Sequence, residues 1–136
     1  MKISELDALL VLYLLVNGPS SSYQIAKDFL SVGILHEPRS GFPGVVRVVD
    51  SRLKRLLREG YLSKQDSLYV PTDMVYLDVL RVSGYQLDVD LGPCVVFRTN
   101  NGHYVLFQVD ALLAPLEDDA VLQLFGNKQE LVSRGI

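Results

Sequence analysis

The amino-acid sequence predicts an α+β protein, with helices gathered at the start of the chain and strands following. Three observations carry this expectation. Before residue 60, apolar residues recur at helical spacing in three blocks separated by Gly- and Pro-containing breaks. Past Gly84 the pattern becomes alternating, with Tyr85, Leu87, Val89 and Leu91 set against Gln86, Asp88 and Asp90. Asn101-Gly102, the preferred pair for a two-residue hairpin turn, lies between two apolar runs.

Ser4 followed by Asp7 reads as an N-cap with an acid in the first helical turn. Leu6, Leu9, Leu10, Tyr13 and Leu14 then mark one buried face. Apolar residues on the other side predict a helix sandwiched within the domain. Asn17-Gly18-Pro19 stops it. A second helix starts in Ser20-Ser21-Ser22, where Ser21 and Gln24 have capping-box spacing. Tyr23, Ile25, Ala26, Phe29 and Leu30 supply its apolar side, and Gly33 ends it. Residues 36–44, rich in Pro and Gly, read as a loop.

The third helix is expected over 44–59, with Gly60 just past its end. Val46, Val49, Leu53, Leu56 and Leu57 form its inward stripe. Arg47, Ser51, Lys54 and Arg58 share the outward one, with Arg52 and Arg55 flanking it. Residues 61–70 read as a short hairpin closed by Pro71. Thr72-Asp73 is expected to cap a brief fourth helix through about Arg81, with Val75, Val79 and Leu80 inward. A strand over 85–91, a turn at Gly92-Pro93, and hairpin strands at 94–98 and 103–109 complete the regular part. Ala120–Phe125 fits strand or helix, and Asn127–Arg134 looks helical.

Composition bounds the possibilities. The chain has 136 residues, 49% apolar and 21% charged, as a globular domain does. Its single cysteine, Cys94, excludes an internal disulfide and any multi-thiolate metal site. His36 and His103 are too few for a His-rich centre. The apolar stretch from Leu6 to Val16 is too short to span a membrane, and Glu5 and Asp7 sit where a signal peptide would be basic. The default location is the cytoplasm. The net charge of −3 hides an asymmetry: residues 1–72 carry +2 and residues 73–136 carry −5. From Arg39 to Lys64, seven basic residues face two acids, a local +5. Such concentration suggests a surface that meets a polyanion, although a solvated helix face also produces it.

Three helices and a hairpin within about 70 residues form the winged helix-turn-helix order. Residues 5–73 resemble the winged-helix domain of PadR-type transcriptional regulators. Gly18-Pro19-Ser20-Ser21-Ser22-Tyr23-Gln24-Ile25 follows that family's entry into its second helix. Leu53-Lys54-Arg55-Leu56-Leu57-Arg58-Glu59-Gly60-Tyr61-Leu62 follows its recognition helix and first wing strand, and Tyr69 with Thr72-Asp73 its exit from the wing. The chain is similar also to small winged-helix regulators of archaea and archaeal viruses. It departs from the family pattern at Ser22, where Gly is common, and at the short wing tip Gln65-Asp66-Ser67, which lacks a base. The family continues into long dimerising helices; this chain continues into β-structure.

The resemblance implies a DNA-binding domain over 1–83, followed by a β-hairpin-containing dimerisation or ligand-sensing region over 84–136. The expected function is sequence-specific double-stranded DNA binding, with helix 44–59 in the major groove. Arg47, Asp50 and Ser51 are expected near the bases. Lys54, Arg55 and Arg58 are expected at phosphates, Ser22 and Gln24 at a phosphate over the second helix's N-terminus, and Lys64 on the wing. Alternatively Arg52 and Arg55 pair with Glu59 or Asp50 along the helix, and Asp50 orients Arg47. The apolar excess after residue 84 suggests a homodimer. The competing reading is a winged-helix protein-interaction module, which the acidic net charge and the wing tip favour.

No catalytic residue, metal ligand or cofactor is expected. His36-Glu37 lacks a third ligand nearby, and Cys94 heads an apolar strand. Glu117-Asp118-Asp119 lacks the alternating oxygen spacing of a calcium loop.

Overall fold

The computed structural model describes residues 3–83 and 88–108, without the side chains of 79–83 and 88–93. The class is α+β, with helices first and small antiparallel sheets after. Helix α1 spans Glu5–Asn17, α2 Ser22–Ser31 and α3 Phe42–Arg58. Strands β1 (Leu62–Gln65) and β2 (Leu68–Pro71) form one hairpin. Strands β3 (Val75–Ser83), β4 (Asp88–Arg98) and β5 (Tyr104–Gln108) form a three-stranded sheet with β4 central.

A full capping box opens α1: the Ser4 hydroxyl accepts from the Asp7 N–H, and the Asp7 carboxylate accepts from the Ser4 N–H. Ala8, Leu10, Val11, Leu12, Tyr13 and Leu14 are all buried, so α1 is covered on every side, as its sequence predicts. It packs against α3, β2, β3 and β4. Ile25 and Phe29 of α2, and Val45, Val49, Leu53 and Leu56 of α3, close the same core. Tyr13 meets Phe29 edge-on and donates its hydroxyl to Asp28 at 2.5 Å, pinning α1 to α2.

Helix α3 begins two residues before the expected Gly44, because Pro43 fits the first turn of a helix without loss. Gly44 itself is buried, and a Cβ there would run into the side chains of Ser40 and Pro38. Past the helix, Gly60 takes φ +88°, a left-handed conformation that ends α3 and lets the chain turn through Tyr61 into β1. Ser20 and Tyr69 exchange backbone hydrogen bonds at 2.8 and 3.4 Å, tying the α1–α2 connection to the edge of β2.

The second half of the described chain corrects several expectations. Residues 75–81 are strand, not a fourth helix: β3 pairs antiparallel with β4 from Val75↔Phe97 to Ser83↔Asp88. Val75 and Leu77 alternate into the core, a period of two that the helical reading overlooked. Gly92-Pro93 makes no turn either. The strand β4 runs through it with a register shift opposite Leu80/Arg81, where Leu91 is the extra residue. A bulge is where a central strand tolerates Gly and Pro. The Asn101-Gly102 hairpin forms with a wider turn than expected. Thr99 N–H donates to His103 O, Gly102 N–H donates to Thr99 O, and Gly102 adopts φ +79°. That is a three-residue loop closed by a left-handed glycine.

The division expected at residues 83/84 falls within this sheet. Strands on its two sides pair with each other, and Val95 and Phe97 of β4 join the buried cluster of α1–α3. Phe97 meets Tyr61 edge-on at 5.3 Å, which seats the three-stranded sheet on the base of the hairpin. Expectations for residues 109–136, including Ala120–Phe125 and Asn127–Arg134, lie outside the described residues.

Candidate nucleic-acid interface

Helix α3 separates its faces as the sequence predicts. At about 100° per residue, Arg47, Ser51, Lys54 and Arg58 fall within about 60° of one another. All four are exposed, while Val45, Val49, Leu53 and Leu56 on the opposite face are buried. Arg55 and Arg58 lie in the last turn, where positive charge complements the helix dipole. Arg55 is half-buried on the flank of the row. Arg52 leaves the row altogether: its guanidinium turns toward α1 and stands 3.9 Å from the buried Asp7 carboxylate. It pairs with neither Glu59 nor Asp50, because a partner 45 positions earlier in the chain leaves no local spacing signal.

Asp50 gathers the polar side chains of three elements. Its carboxylate accepts from the Ser22 hydroxyl of α2 at 2.6 Å and from the Tyr69 hydroxyl of β2 at 3.2 Å. It also holds the Lys54 ammonium at 2.8 Å, one turn along α3. Burial alone would raise the Asp50 pKa. The contacts from Lys54, Ser22 and Tyr69 outweigh it and hold the carboxyl below the ordinary aspartate range. The same hydrogen bond raises the Lys54 ammonium, which therefore stays charged. For the Tyr69 phenol, burial and then Asp50 push the pKa up, keeping it a neutral donor.

The remaining sequence candidates surround this hub. Ser21 caps α2 by accepting from the Gln24 N–H at 3.2 Å, and the Gln24 side chain is exposed in the first turn. Ser22 follows the cap, but its hydroxyl is directed to Asp50. Lys64 of β1 lies over the Tyr69 ring, 5.1 Å from its centroid, so the hairpin carries its cation toward the hub. Asp50 makes no ion pair with Arg47; its charged partner is Lys54.

Two exposed apolar side chains on this side were not among the sequence candidates. Tyr23, expected on the inner face of α2, is 60% exposed and meets Phe42 edge-on at 5.3 Å. Two residues past the Ser21 cap, it lies on the side of α2 away from the buried Ile25 and Phe29. Val48 is 45% exposed on α3 beside Arg47. Its signal is its absence from the expected inward stripe Val46, Val49, Leu53, Leu56 and Leu57; in the structure Val45 is buried, while Val46 and Leu57 are half-buried at the stripe's edges.

Among the described residues, no three His, Cys, Asp or Glu side chains come together as a metal site would require. No helix among them is long and apolar enough to cross a membrane. No family model matches the chain, and no match is found among curated proteins or solved structures.

Proposed function

We propose that the chain is a sequence-specific double-stranded DNA-binding transcriptional regulator of winged helix-turn-helix, PadR-like type, acting in the cytoplasm. The observation that carries this reading is the exposed row Arg47, Ser51, Lys54 and Arg58 on a helix whose opposite face is anchored in the core. An α-helix fits the major groove, and its N-terminal half reaches base edges while its outer flank meets phosphates. Arg47 offers two parallel donors for a guanine edge, and Val48 an apolar surface for a thymine methyl. Lys54 and Arg58 meet phosphates, with Arg55 flanking and Lys64 approaching from the wing. Gln24 and the first N–H groups of α2 receive a further phosphate. In this arrangement Asp50 and Ser22 position α3 against α2, since their groups are directed at each other.

The protein acts as a homodimer on paired half-sites about one helical turn apart. Support comes from β5, where Tyr104 and Leu106 are 54% and 42% exposed on the last strand of the sheet. Sedimentation at micromolar concentration that gives only monomer rejects the paired half-sites. Selection of binding sites from random duplexes, with affinity measured against salt, tests the reading as a whole. A recovered motif and a steep loss of affinity with rising salt are expected. Weak binding that is indifferent to both sequence and salt rejects it.

A second reading, a protein-interaction module, is favoured by the exposed Tyr23 and Val48 and by the wing tip Gln65-Asp66-Ser67. It predicts no retained duplex in that selection.

A further inference from the structure

An open cleft of about 570 Å³ lies between the end of α1, the turn at Gly18-Pro19, the end of β2 and the start of β3. Its volume falls in the range that holds small organic ligands, about 300–1,000 Å³. Leu15, Pro19 and Val70 make its walls chiefly apolar.

The polar groups at the cleft differ in what they have left to offer. The Thr72 hydroxyl is committed: it donates to the Gly60 carbonyl at 2.7 Å and accepts from the Met74 N–H at 3.3 Å. Asp73 is exposed, and its carboxylate has neither hydrogen bond nor ion pair among the described residues. Tyr76 borders the cleft at the start of β3, but Val75 and Leu77 face the core from the same strand, so its ring stands on the opposite face with Val96, Tyr104 and Leu106. A carboxylate attracts a cation, and apolar walls select for hydrocarbon around it. An anion of the same shape would meet the Asp73 charge unfavourably.

We propose that this cleft binds an organic cation, an ammonium or phosphonium centre carrying apolar groups, with its charge at Asp73 and its body against Leu15, Pro19 and Val70. The site uses none of the residues assigned to DNA, so it stands or falls apart from that assignment.

The test is an NMR titration of the ¹⁵N-labelled full chain with tetraphenylphosphonium, and with tetraphenylborate as an anion of matching shape. Saturable shifts of the Leu15, Val70, Asp73 and Tyr76 amides are expected with the cation, and weaker binding of the anion. Asp73→Asn is expected to weaken the cation by about fivefold, the scale of a solvent-exposed ion pair. Asp73→Glu, which keeps the charge, is expected to restore most of that loss. Absence of saturable shifts, shifts centred elsewhere, equal affinity for the two ions, or undiminished cation binding by Asp73→Asn would each overturn the proposal.

Discussion

Ser22 and Asp50 lie 28 residues apart in the chain, and the hydroxyl of one donates to the carboxylate of the other at 2.6 Å. With Tyr69 donating to the same oxygen, this contact joins α2, α3 and β2 at one point. Asp50→Ala leaves two hydroxyls without their acceptor in a partly buried setting. The expected cost is about 1–3 kcal/mol, read as a lower urea midpoint with an unchanged slope. Ser22→Ala removes one donor and is expected to cost less.

The same carboxylate makes stability depend on acidity. Its folded pKa lies below the ordinary value, since Lys54, Ser22 and Tyr69 together overcome the effect of burial. A depressed carboxyl stabilises the fold at pH values above the unfolded pKa, near 3.9, and that contribution is lost as pH falls through the folded pKa. Urea midpoints measured from pH 6 to pH 2 are therefore expected to fall on the acid side. Asp50→Asn should flatten that part of the curve, and an unchanged acid limb in the variant would show that other carboxylates govern it.

On DNA, the exposed row separates into side chains with different consequences. Arg47→Ala should cost about 1–3 kcal/mol at the preferred site and relax the choice of one base pair. Lys54→Ala should weaken all duplexes alike and lower the salt slope by about one. Asp50→Ala should act in the opposite sense: it removes a negative charge from beside the phosphates and releases Lys54, so non-specific affinity rises while stability falls. Fluorescence anisotropy with matched and scrambled duplexes distinguishes the three. If Arg47→Ala and Lys54→Ala both leave binding intact, DNA does not lie on this face.

What could be read in the sequence depended on how local the cause was. The caps at Ser4 and Ser21, the stripe Val49, Leu53 and Leu56, and the outward row of α3 follow from spacing within one element, and the structure has all of them. Residues 75–81 fit both patterns: Val75, Val79 and Leu80 match a helix, while Val75, Leu77 and Val79 match a strand. The decision came from pairing with β4, as much as 22 positions away in register at Val75↔Phe97. Gly92-Pro93 reads as a turn for the same reason, since only a bulge opposite Leu80/Arg81 makes it acceptable in a central strand. The row at the candidate interface was legible; the Asp50 hub was not, because Ser22 and Tyr69 reach it from other elements.

Gly44 tests the seating of α3. A methyl group at this position would press on the Ser40 side chain and the Pro38 ring; the Ser40 hydroxyl can rotate away, but the rigid Pro38 ring and the Ser40 Cβ remain close. Gly44→Ala is therefore expected to destabilise by about 1–3 kcal/mol, despite the higher helix propensity of alanine. A gain in thermal stability would mean that residues 38–40 shift freely and do not fix the start of the helix.

Cys94 reports on the sheet. It is fully buried on β4, between Asp78 of β3 and Gln108 of β5 in register. Burial first, and the Asp78 carboxylate second, push its thiol up. The reactive species is the thiolate, so the folded protein offers an attacking reagent neither the ionised form nor access. With Ellman's reagent at pH 8, labelling in native buffer is expected to be at least about a hundredfold slower than in concentrated urea. Destabilising variants elsewhere discriminate further. Gly44→Ala, remote from β4, should accelerate labelling only if Cys94 is exposed by global unfolding; an unchanged rate would show that the three-stranded sheet opens on its own. Prompt labelling of the wild-type chain would mean that the face of β4 opposite Val95 and Phe97, where Cys94 lies buried, opens readily.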